Sequence, residues 1–368
     1  MQNALQLTEH LQDKPLGFHL RALATSFVEN GYADETIRLK SMLLADFGRW
    51  FGRTGLGVTH VDERLVAAFV KHRKQVRRGD LKTLEQFLDH LRKDAVIPDR
   101  EPARDLSPVA DILGRYERHL RSERGLITAT ILNYGFFVRK FLVEHFREGP
   151  FLFGQLKPSE ISDFVLRHGR RMAATSAQLM TAALRSFFRF LFQNGEVHVD
   201  LAASVPTVAH WRLSIVPKHL TPAEVDRVLK ACHGRTATSR RDYAILLLLA
   251  RLGLRAGEVV ALQLDDINWR AGEIIVRGKG LFHDRMPLPP DVGEALASYL
   301  RTDRPACQTR RLFVCMKAPR RGLAGSSTLT TIVRRALVRA NLHPKFKGAH
   351  LLRHSLADFH ASFWGDNG

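Results

Sequence analysis

Cysteine is scarce in this chain of 368 residues, which contains three, at Cys232, Cys307 and Cys315. They are widely spaced and form no Cys-x-x-Cys pair. This spacing argues against a disulfide framework and against zinc binding. Sparse cysteine of this kind is typical of a protein that works in a reducing compartment.

Long apolar runs are also missing. A helix that spans a bilayer needs about 20 predominantly apolar residues, and no run in the sequence approaches that length. The first ten residues, Met1 to His10, are polar and lack the apolar stretch of a secretory signal peptide. We therefore expect no membrane role and a cytoplasmic location of the bacterial type.

The sequence lacks the residue patterns of two kinds of enzyme that act on phosphates. The sequence has no cluster of Asp and Glu of the kind that binds magnesium, and no Gly-x-x-x-x-Gly-Lys-Ser/Thr phosphate loop. The sequence therefore argues against a metal-dependent nuclease and against a nucleotide hydrolase. We expect no cofactor and no metal in the reaction.

Basic residues, by contrast, are in excess, and the formal net charge is +19. Residues 1–105 carry 17 basic and 15 acidic side chains, residues 106–210 carry 13 and 9, and residues 211–368 carry 26 and 13. A generally basic proteome would not concentrate the excess in one third of the chain. A basic surface attracts polyanions, and nucleic acid is the leading candidate partner.

Hydrophobic spacing predicts a mainly helical chain of three domains. Residues 1–100 form a helical domain with helices over Arg38–Phe51, Glu63–Arg77 and Lys82–Lys93. A proline-rich linker precedes a second helical domain at 106–205, and a further linker precedes a third domain at 216–368. Short strands near Ile267–Trp269, Glu273–Arg277 and Asp284–Leu288 predict a small β-hairpin in the third domain.

The first two domains share a pattern. Thr36-Ile37 and the residues up to Phe51 resemble Thr130-Ile131 and the residues up to Phe146, and the offset drifts from 94 to 100 residues along the chain. A diverged duplication explains this likeness, and chance similarity of two small bundles is the alternative.

Four basic side chains of the third domain are candidate phosphate ligands. Arg255 follows Gly253 at the end of a buried apolar helix, and Glu258 three residues later is placed to hold it. Lys279 lies in a Gly-Lys-Gly turn between the two later strands, and His350 and Arg353 form a His-x-x-Arg pair. Arginines would neutralise charge on a phosphate, and Lys279 or His350 would transfer protons. Each residue taken singly also fits a structural ion pair or a solvated turn.

Taken in order, these segments resemble the tyrosine recombinase (phage integrase) family. The resemblance runs from about Leu220 to about Phe359. It implies one or two helical core-binding domains of the SAM-like type, followed by a mixed α+β catalytic domain. It also implies that Arg255 and Arg353 bind the scissile phosphate, that Lys279 protonates the leaving 5′ oxygen, and that His350 assists proton transfer, with Glu258 supporting Arg255.

The same resemblance implies a double-stranded DNA partner and a role in DNA recombination or integration, as in mobile elements. It implies a tetrameric synapse or a partner recombinase. In the second domain the candidate phosphate contacts are Arg139, Lys140, Arg185 and Arg189. The aromatic side chains of the last helix, Phe187, Phe188, Phe190 and Phe192, are expected in the core.

The sequence departs from the family at its C-terminal end. Relatives of this type use a tyrosine after the His-x-x-Arg helix as nucleophile, whereas the last tyrosine here is Tyr299. We therefore assign no nucleophile and expect a catalytic domain incomplete at its C-terminus and inactive alone. A truncated gene product, a shortened sequence and a complete protein that borrows or lacks the nucleophile are three explanations. A non-catalytic DNA-binding relic or regulator at recombinase sites is the alternative function.

Overall fold

The computed structural model describes residues 16–100, 107–146, 151–208, 219–278 and 283–356. Within these ranges most residues are helical, and three strands form one antiparallel sheet in which they lie side by side in chain order. The predicted mainly helical fold with a small sheet is confirmed.

The first helical bundle surrounds a core of its own, which includes Leu44, Phe47, Phe51 and Phe87. Its four helices pack their apolar faces inward, as amphipathic helices do. They are α1 (Gly17–Glu29), α2 (Asp34–Gly52), α3 (Glu63–His72) and α4 (Asp80–Lys93).

The second bundle has a separate core rich in phenylalanine, including Phe141, Phe164, Phe187 and Phe188. Ser107 caps the first of its helices by accepting a hydrogen bond from the Ala110 amide, 3.2 Å. The helices are α5 (Pro108–Ser122), α6 (Thr128–Phe146), α7 (Pro158–Gly169) and α8 (Ala174–Gln193).

The two bundles repeat the same elements in the same order. In each, a helix of 19 residues is followed by a three-residue 3-10 turn, at Val58–His60 and at Phe153–Gln155. Edge-to-face ring pairs occupy matching positions, Phe47–Phe69 at 5.1 Å and Phe141–Phe164 at 5.2 Å.

The last helix of each bundle also ends in the same way. The Val96 amide donates to the Leu91 carbonyl at 2.9 Å, and the Glu196 amide donates to the Leu191 carbonyl at 3.0 Å. Both helices are terminated by a residue with positive φ, Ala95 or Gly195. The matched residues are 94 to 100 positions apart, the offset found in the sequence.

The third region is built around the helix α10 (Ala237–Arg251), whose residues Ala244 to Ala250 are all buried. This apolar run is the predicted buried helix. Around it lie α9 (Pro222–Cys232), α11 (Ala256–Ala261), β1 (Ile267–Asn268), β2 (Glu273–Arg277), β3 (His283–Pro287), α12 (Pro290–Ser298) and α13 (Ser326–Arg339). A π-helical turn, Tyr299–Asp303, extends α12, and residues 350–356 form a further helix, α14.

The antiparallel hairpin has a defined register, in which Ile275 pairs with Arg285 and Arg277 with His283. Ile274 and Val276 of β2 are buried, so alternate side chains of this strand enter the core.

Two sequence predictions differ from the structure. The helix expected over Glu63–Arg77 ends at His72, because Asp80 accepts hydrogen bonds from the Arg73 guanidinium and the Arg77 amide, which hold the following residues out of the helix. Phe192 is 46% exposed, although helical spacing predicted it in the core. It lies at the border of the apolar face of its helix, where spacing alone does not separate buried from exposed positions.

The described residues up to 100 and those from 219 onward group into one compact unit, and residues 107–208 form the other. Within the first unit, the Arg320 amide donates to the Asn30 carbonyl at 3.0 Å. Among the described residues, no helix combines the length and apolar character needed to cross a bilayer.

Candidate active site

The turn between α10 and α11 positions Arg255. Helix α10 ends at Arg251, and Gly253 adopts φ +58°, a left-handed conformation that favours glycine. Arg255 then takes an extended conformation, φ −71° and ψ 147°, as the N-cap residue of α11. The glycine turn predicted from the sequence therefore fixes the point from which this guanidinium extends.

Glu258 holds both ends of Arg255. One carboxylate oxygen accepts from the Arg255 amide at 2.7 Å, and the other accepts from the guanidinium Nη1 at 2.7 Å. The Glu258 side chain is 11% exposed, whereas that of Arg255 is 60% exposed. The carboxylate thus orients the guanidinium, and the remaining N–H groups stay open to an anion from solvent.

Arg353 reaches the same turn from the far end of the region. Its Nη1 donates a hydrogen bond to the Gly253 carbonyl at 2.6 Å, and its side chain is half-buried. A Cβ added to Gly253 would lie 3.0 Å from Leu356 Cδ2 and 3.8 Å from Arg353 Cγ. The two arginine segments predicted from the sequence, 100 residues apart, therefore meet at Gly253.

Helix α14 is anchored to the beginning of the region. The Leu220 amide donates to the buried Ser355 hydroxyl at 2.9 Å, and that hydroxyl donates to the Leu351 carbonyl at 2.9 Å. Leu351 and Leu352 are buried. His350, on the first turn, is exposed, and its ring centroid lies 6.4 Å from that of His354.

Lys279 falls outside the described residues, which stop at Gly278 and resume at His283. The strands on either side are in place, and Arg277 at the end of β2 donates to the buried Asp266 carboxylate at 2.8 Å. On β3, Arg285 and Pro287 are exposed. The lysine is therefore in the connection of a formed hairpin.

The four basic candidates of the second bundle differ in environment. Arg139 and Arg189 are exposed, and Lys140 is half-buried. Arg185 donates from Nη2 to the Val205 carbonyl at 2.9 Å and to the Thr207 hydroxyl at 3.0 Å. The Arg185 guanidinium thus ties α8 to the chain that leaves the bundle.

The two tyrosines in the third region belong to its framework. Tyr299 is fully buried, and its hydroxyl accepts from the Val314 amide at 3.4 Å. Tyr243 is half-buried, with its ring 4.9 Å from that of His233. Burial raises the pKa of both phenols, which disfavours the phenolate needed for attack.

Two contributors to the site were not identified from the sequence. The Gly253 carbonyl acts through its backbone, and the glycine in the turn was the available signal. Ser355 anchors α14 through a contact 135 residues away in the chain, which no local pattern indicates. Together these contacts produce two fixed guanidinium groups that suit bidentate binding of a phosphate.

Comparison with known proteins identifies the family of this chain. The model of the phage integrase family matches residues 218–359, and that of the phage integrase N-terminal SAM-like domain matches residues 113–195. The putative integrase/recombinase y4rA of Sinorhizobium fredii is 40% identical over 93% of this chain and 84% of its own length. The tyrosine recombinase XerA of Thermococcus onnurineus is 30% identical over 68% of this chain and 82% of its own.

Solved structures share the fold at low sequence identity. XerH site-specific recombinase, in a post-cleavage complex with palindromic difH substrate, aligns with a TM-score of 0.56 over 89% of this chain and 87% of its own, at 17% identity. Lambda integrase residues 75–356 bound to DNA aligns with a TM-score of 0.53 over 70% and 88%, at 20% identity. The chain belongs to the phage integrase family of site-specific tyrosine recombinases.

Proposed function

We propose that this chain binds double-stranded DNA and holds one phosphodiester between Arg255 and Arg353. The single observation that carries the proposal is the hydrogen bond from Arg353 Nη1 to the Gly253 carbonyl. It supports a shared site because it links the His-x-x-Arg helix to the turn that carries Arg255. Two cations fixed on one turn would stabilise the charge that develops on a phosphate under attack.

The proposed reaction is metal-free strand exchange. A tyrosine oxygen forms a bond to phosphorus, the bond from phosphorus to the 5′ oxygen breaks, and Lys279 gives that oxygen a proton. His350 assists proton transfer, and Glu258 keeps Arg255 in position. The rejoining step runs the same bonds in reverse, so no metal and no nucleotide cofactor is required.

The second candidate function is DNA binding without cleavage. It is favoured by the environment of the two tyrosines of the third region, since Tyr299 is buried and Tyr243 is half-buried. We propose that the 368-residue chain alone forms no phosphotyrosyl link, and that a tyrosine from outside it must complete the site. DNA as the partner favours a cytoplasmic location in a bacterial cell.

We propose three domains with the boundaries given by the sequence, of which the second is the DNA-binding SAM-like domain. The first is proposed as its diverged duplicate, on the strength of the matched helices, ring pairs and helix ends. At an offset of 100, Glu85 and Asp89 stand where the second domain has Arg185 and Arg189. The first domain is therefore not expected to bind DNA through its last helix.

Assembly on DNA is proposed from the neighbours. Solved structures with this fold include a lambda integrase dimer bound to a COC′ core site and a tetramer bound to a Holliday junction. We infer that this chain also binds DNA as more than one copy. A partner recombinase would serve the same purpose if it supplies the tyrosine.

A suicide DNA substrate tests the proposal and separates the two functions. A duplex selected by binding from a random library is nicked next to each candidate cleavage position, so that cleavage traps the protein on DNA. We expect a salt-sensitive complex and no covalent adduct with the 368-residue chain. An adduct would contradict the absence of a nucleophile, and a chain that does not bind DNA at all would contradict both functions.

A further inference from the structure

Three side chains in the first bundle converge without hydrogen bonds that explain their placement. His19 lies on α1, His90 is in the last turn of α4, and Asp94 caps that helix. One ligand atom from each lies within 4.8 Å of the other two: His19 Nδ1, His90 Nε2 and a carboxylate oxygen of Asp94.

The separations among these atoms are too long for hydrogen bonds. His90 Nε2 lies 3.5 Å and His19 Nδ1 lies 3.9 Å from Asp94 Oδ2, whereas an N–H···O bond has a length of about 2.9 Å. Ligands at about 2.0–2.2 Å around one tetrahedral zinc ion are themselves a little over 3 Å apart. The two separations from Asp94 approach this spacing, and the ligand atoms of all three residues lie within 4.8 Å of one another.

Both ring nitrogens are buried and have no hydrogen-bond partner among the residues that the structure describes. The side chains of His19 and His90 are 17% and 18% exposed, and that of Asp94 is 37% exposed. A buried polar atom without a partner destabilises the fold. An ion at this point would satisfy both nitrogens, and the exposed carboxylate would leave it an entry path from solvent.

The second bundle shows that the fold does not require this polar group. At the offset of 100 residues, Phe190 replaces His90 and Asn194 replaces Asp94. Phe190 is buried and packs against the Tyr116 ring at 5.3 Å, while Asn194 donates to the Phe190 carbonyl at 2.8 Å. The last helix of each bundle nevertheless ends in the same way.

We propose that His19, His90 and Asp94 form a structural site for a divalent transition metal ion of the zinc type, which fastens α1 to α4. Two imidazoles and a carboxylate suit zinc, with a water completing the tetrahedron. The sequence argued against zinc because it lacks Cys-x-x-Cys pairs, but that argument does not reach a site made of His and Asp ligands that span 75 positions of the chain.

The test uses the tag-free 368-residue chain after treatment with a chelator. Titration with Co²⁺, followed by visible absorption, should reach saturation at one equivalent with a tetrahedral d–d spectrum, and Zn²⁺ should displace the cobalt and raise the unfolding temperature. The variant His90→Phe copies the second bundle and should fold. It should bind cobalt more than about 100-fold more weakly, beyond the loss usually caused by removing a supporting residue.

The control His60→Phe removes an exposed histidine of the same bundle and should leave the titration unchanged. Should His90→Phe fail to fold, His19→Ala repeats the measurement from the other helix. A spectrum and stoichiometry that survive both substitutions, or no binding to the wild-type chain, would overturn the proposal. Neither outcome bears on DNA binding, so this test is independent of the proposed function.

Discussion

Glu258 combines a structural and a functional contact in one carboxylate. It caps α11 through the Arg255 amide and orients the Arg255 guanidinium. Glu224 makes a comparable cap on α9, where its carboxylate accepts from the Thr221 amide at 2.9 Å and from the Thr221 hydroxyl. The two glutamates therefore differ in one respect: Glu258 orients Arg255, which is proposed to bind phosphate, whereas Glu224 orients no such side chain.

We predict that Glu258→Ala lowers the free energy of unfolding by about 1 kcal/mol, as the loss of a helix cap does, and weakens DNA binding. Glu224→Ala should lower stability similarly and leave DNA affinity unchanged. Urea unfolding and fluorescence anisotropy with a labelled duplex measure the two effects. Equal DNA affinity of the two variants would contradict the role of Glu258.

Gly253 is the second residue with a double role, because its conformation and its lack of a side chain are both used. We predict that Gly253→Ala is destabilising by about 1–2 kcal/mol from the left-handed backbone, with a further loss from crowding Leu356. DNA binding should weaken as Arg353 is displaced.

The matched control is Gly272→Ala. Gly272 has φ +65°, and nothing lies within 4 Å of an added Cβ. Gly272→Ala should therefore lower the free energy of unfolding only through the left-handed backbone. Chemical denaturation of both variants isolates the packing cost at Gly253. If the two variants match in stability and in DNA affinity, the contact between Gly253 and α14 has no energetic importance.

At the residue scale, the sequence predicted contacts between residues that are close together in the chain. The Arg255–Glu258 pair spans three positions and is readable as a capping arrangement. The contacts of Arg353 with Gly253 and of Ser355 with Leu220 cross at least 100 positions, and no spacing rule predicts them. The two strands that flank Lys279 were predicted from the sequence, whereas Lys279 itself lies outside the described residues.

Among the elements, α10 is joined to the turn after α12 by an ion pair between Arg240 and Asp303. Arg240 Nη2 donates to Asp303 Oδ1 at 2.8 Å, and its Nε donates to the other oxygen. The Asp303 side chain is 6% exposed. The bonds from Arg240 hold the pKa of this carboxyl below its ordinary value of 3.8.

A carboxyl with a depressed pKa stabilises the fold above its unfolded pKa and loses that contribution as the pH falls through its folded pKa. We predict that Asp303→Asn lowers the free energy of unfolding by about 1.5–3 kcal/mol near neutral pH. The difference from wild type should stay constant from pH 7 to pH 5 and shrink below about pH 3.8. Urea titrations across this range measure it.

The control for this prediction is Asp284→Asn, which removes an exposed carboxylate of β3. It should change stability little at any pH. A difference between wild type and Asp303→Asn that persists unchanged at pH 3 would show that the ionised carboxylate is not the stabilising form.

Element types were more predictable than their ends. Periodicity identified α2, α8, α10 and the hairpin, because each has several apolar positions on one face. It placed the end of α3 five residues too late, since the bonds from Arg73 and Arg77 to Asp80 compete with the helix. Tertiary contacts of this kind are invisible to a local pattern.

At the scale of the whole molecule, two bundles with the same order of helices differ in their charge and in their polar clusters. The second carries Arg185 and Arg189 on its last helix, and the first carries Glu85, Asp89 and the His19–His90–Asp94 group on matching or adjoining positions. The sequence indicated the repeat through its offset, but the ring pairs and helix ends became visible only in the fold. We interpret the two bundles as copies of one helical arrangement, of which the second is proposed to bind DNA and the first is proposed to bind a metal ion.

We expect the excess positive charge of the third region to give the chain a salt-dependent affinity for DNA. Each phosphate contact contributes about 0.9 to the slope of log affinity against log salt concentration. Arg255 is proposed to contribute one such contact. Arg310, which is exposed and paired with Asp265 in the same region, carries the same charge and is not one of the residues proposed to bind the phosphate.

The most direct test of this account is therefore the salt dependence of binding to one selected duplex by wild type, Arg255→Ala and Arg310→Ala. We predict that the slope for Arg255→Ala is smaller in magnitude than that of wild type by about one, and that Arg310→Ala keeps the wild-type slope. If Arg255→Ala keeps the wild-type slope and affinity, Arg255 does not bind a phosphate, and the proposed site is wrong.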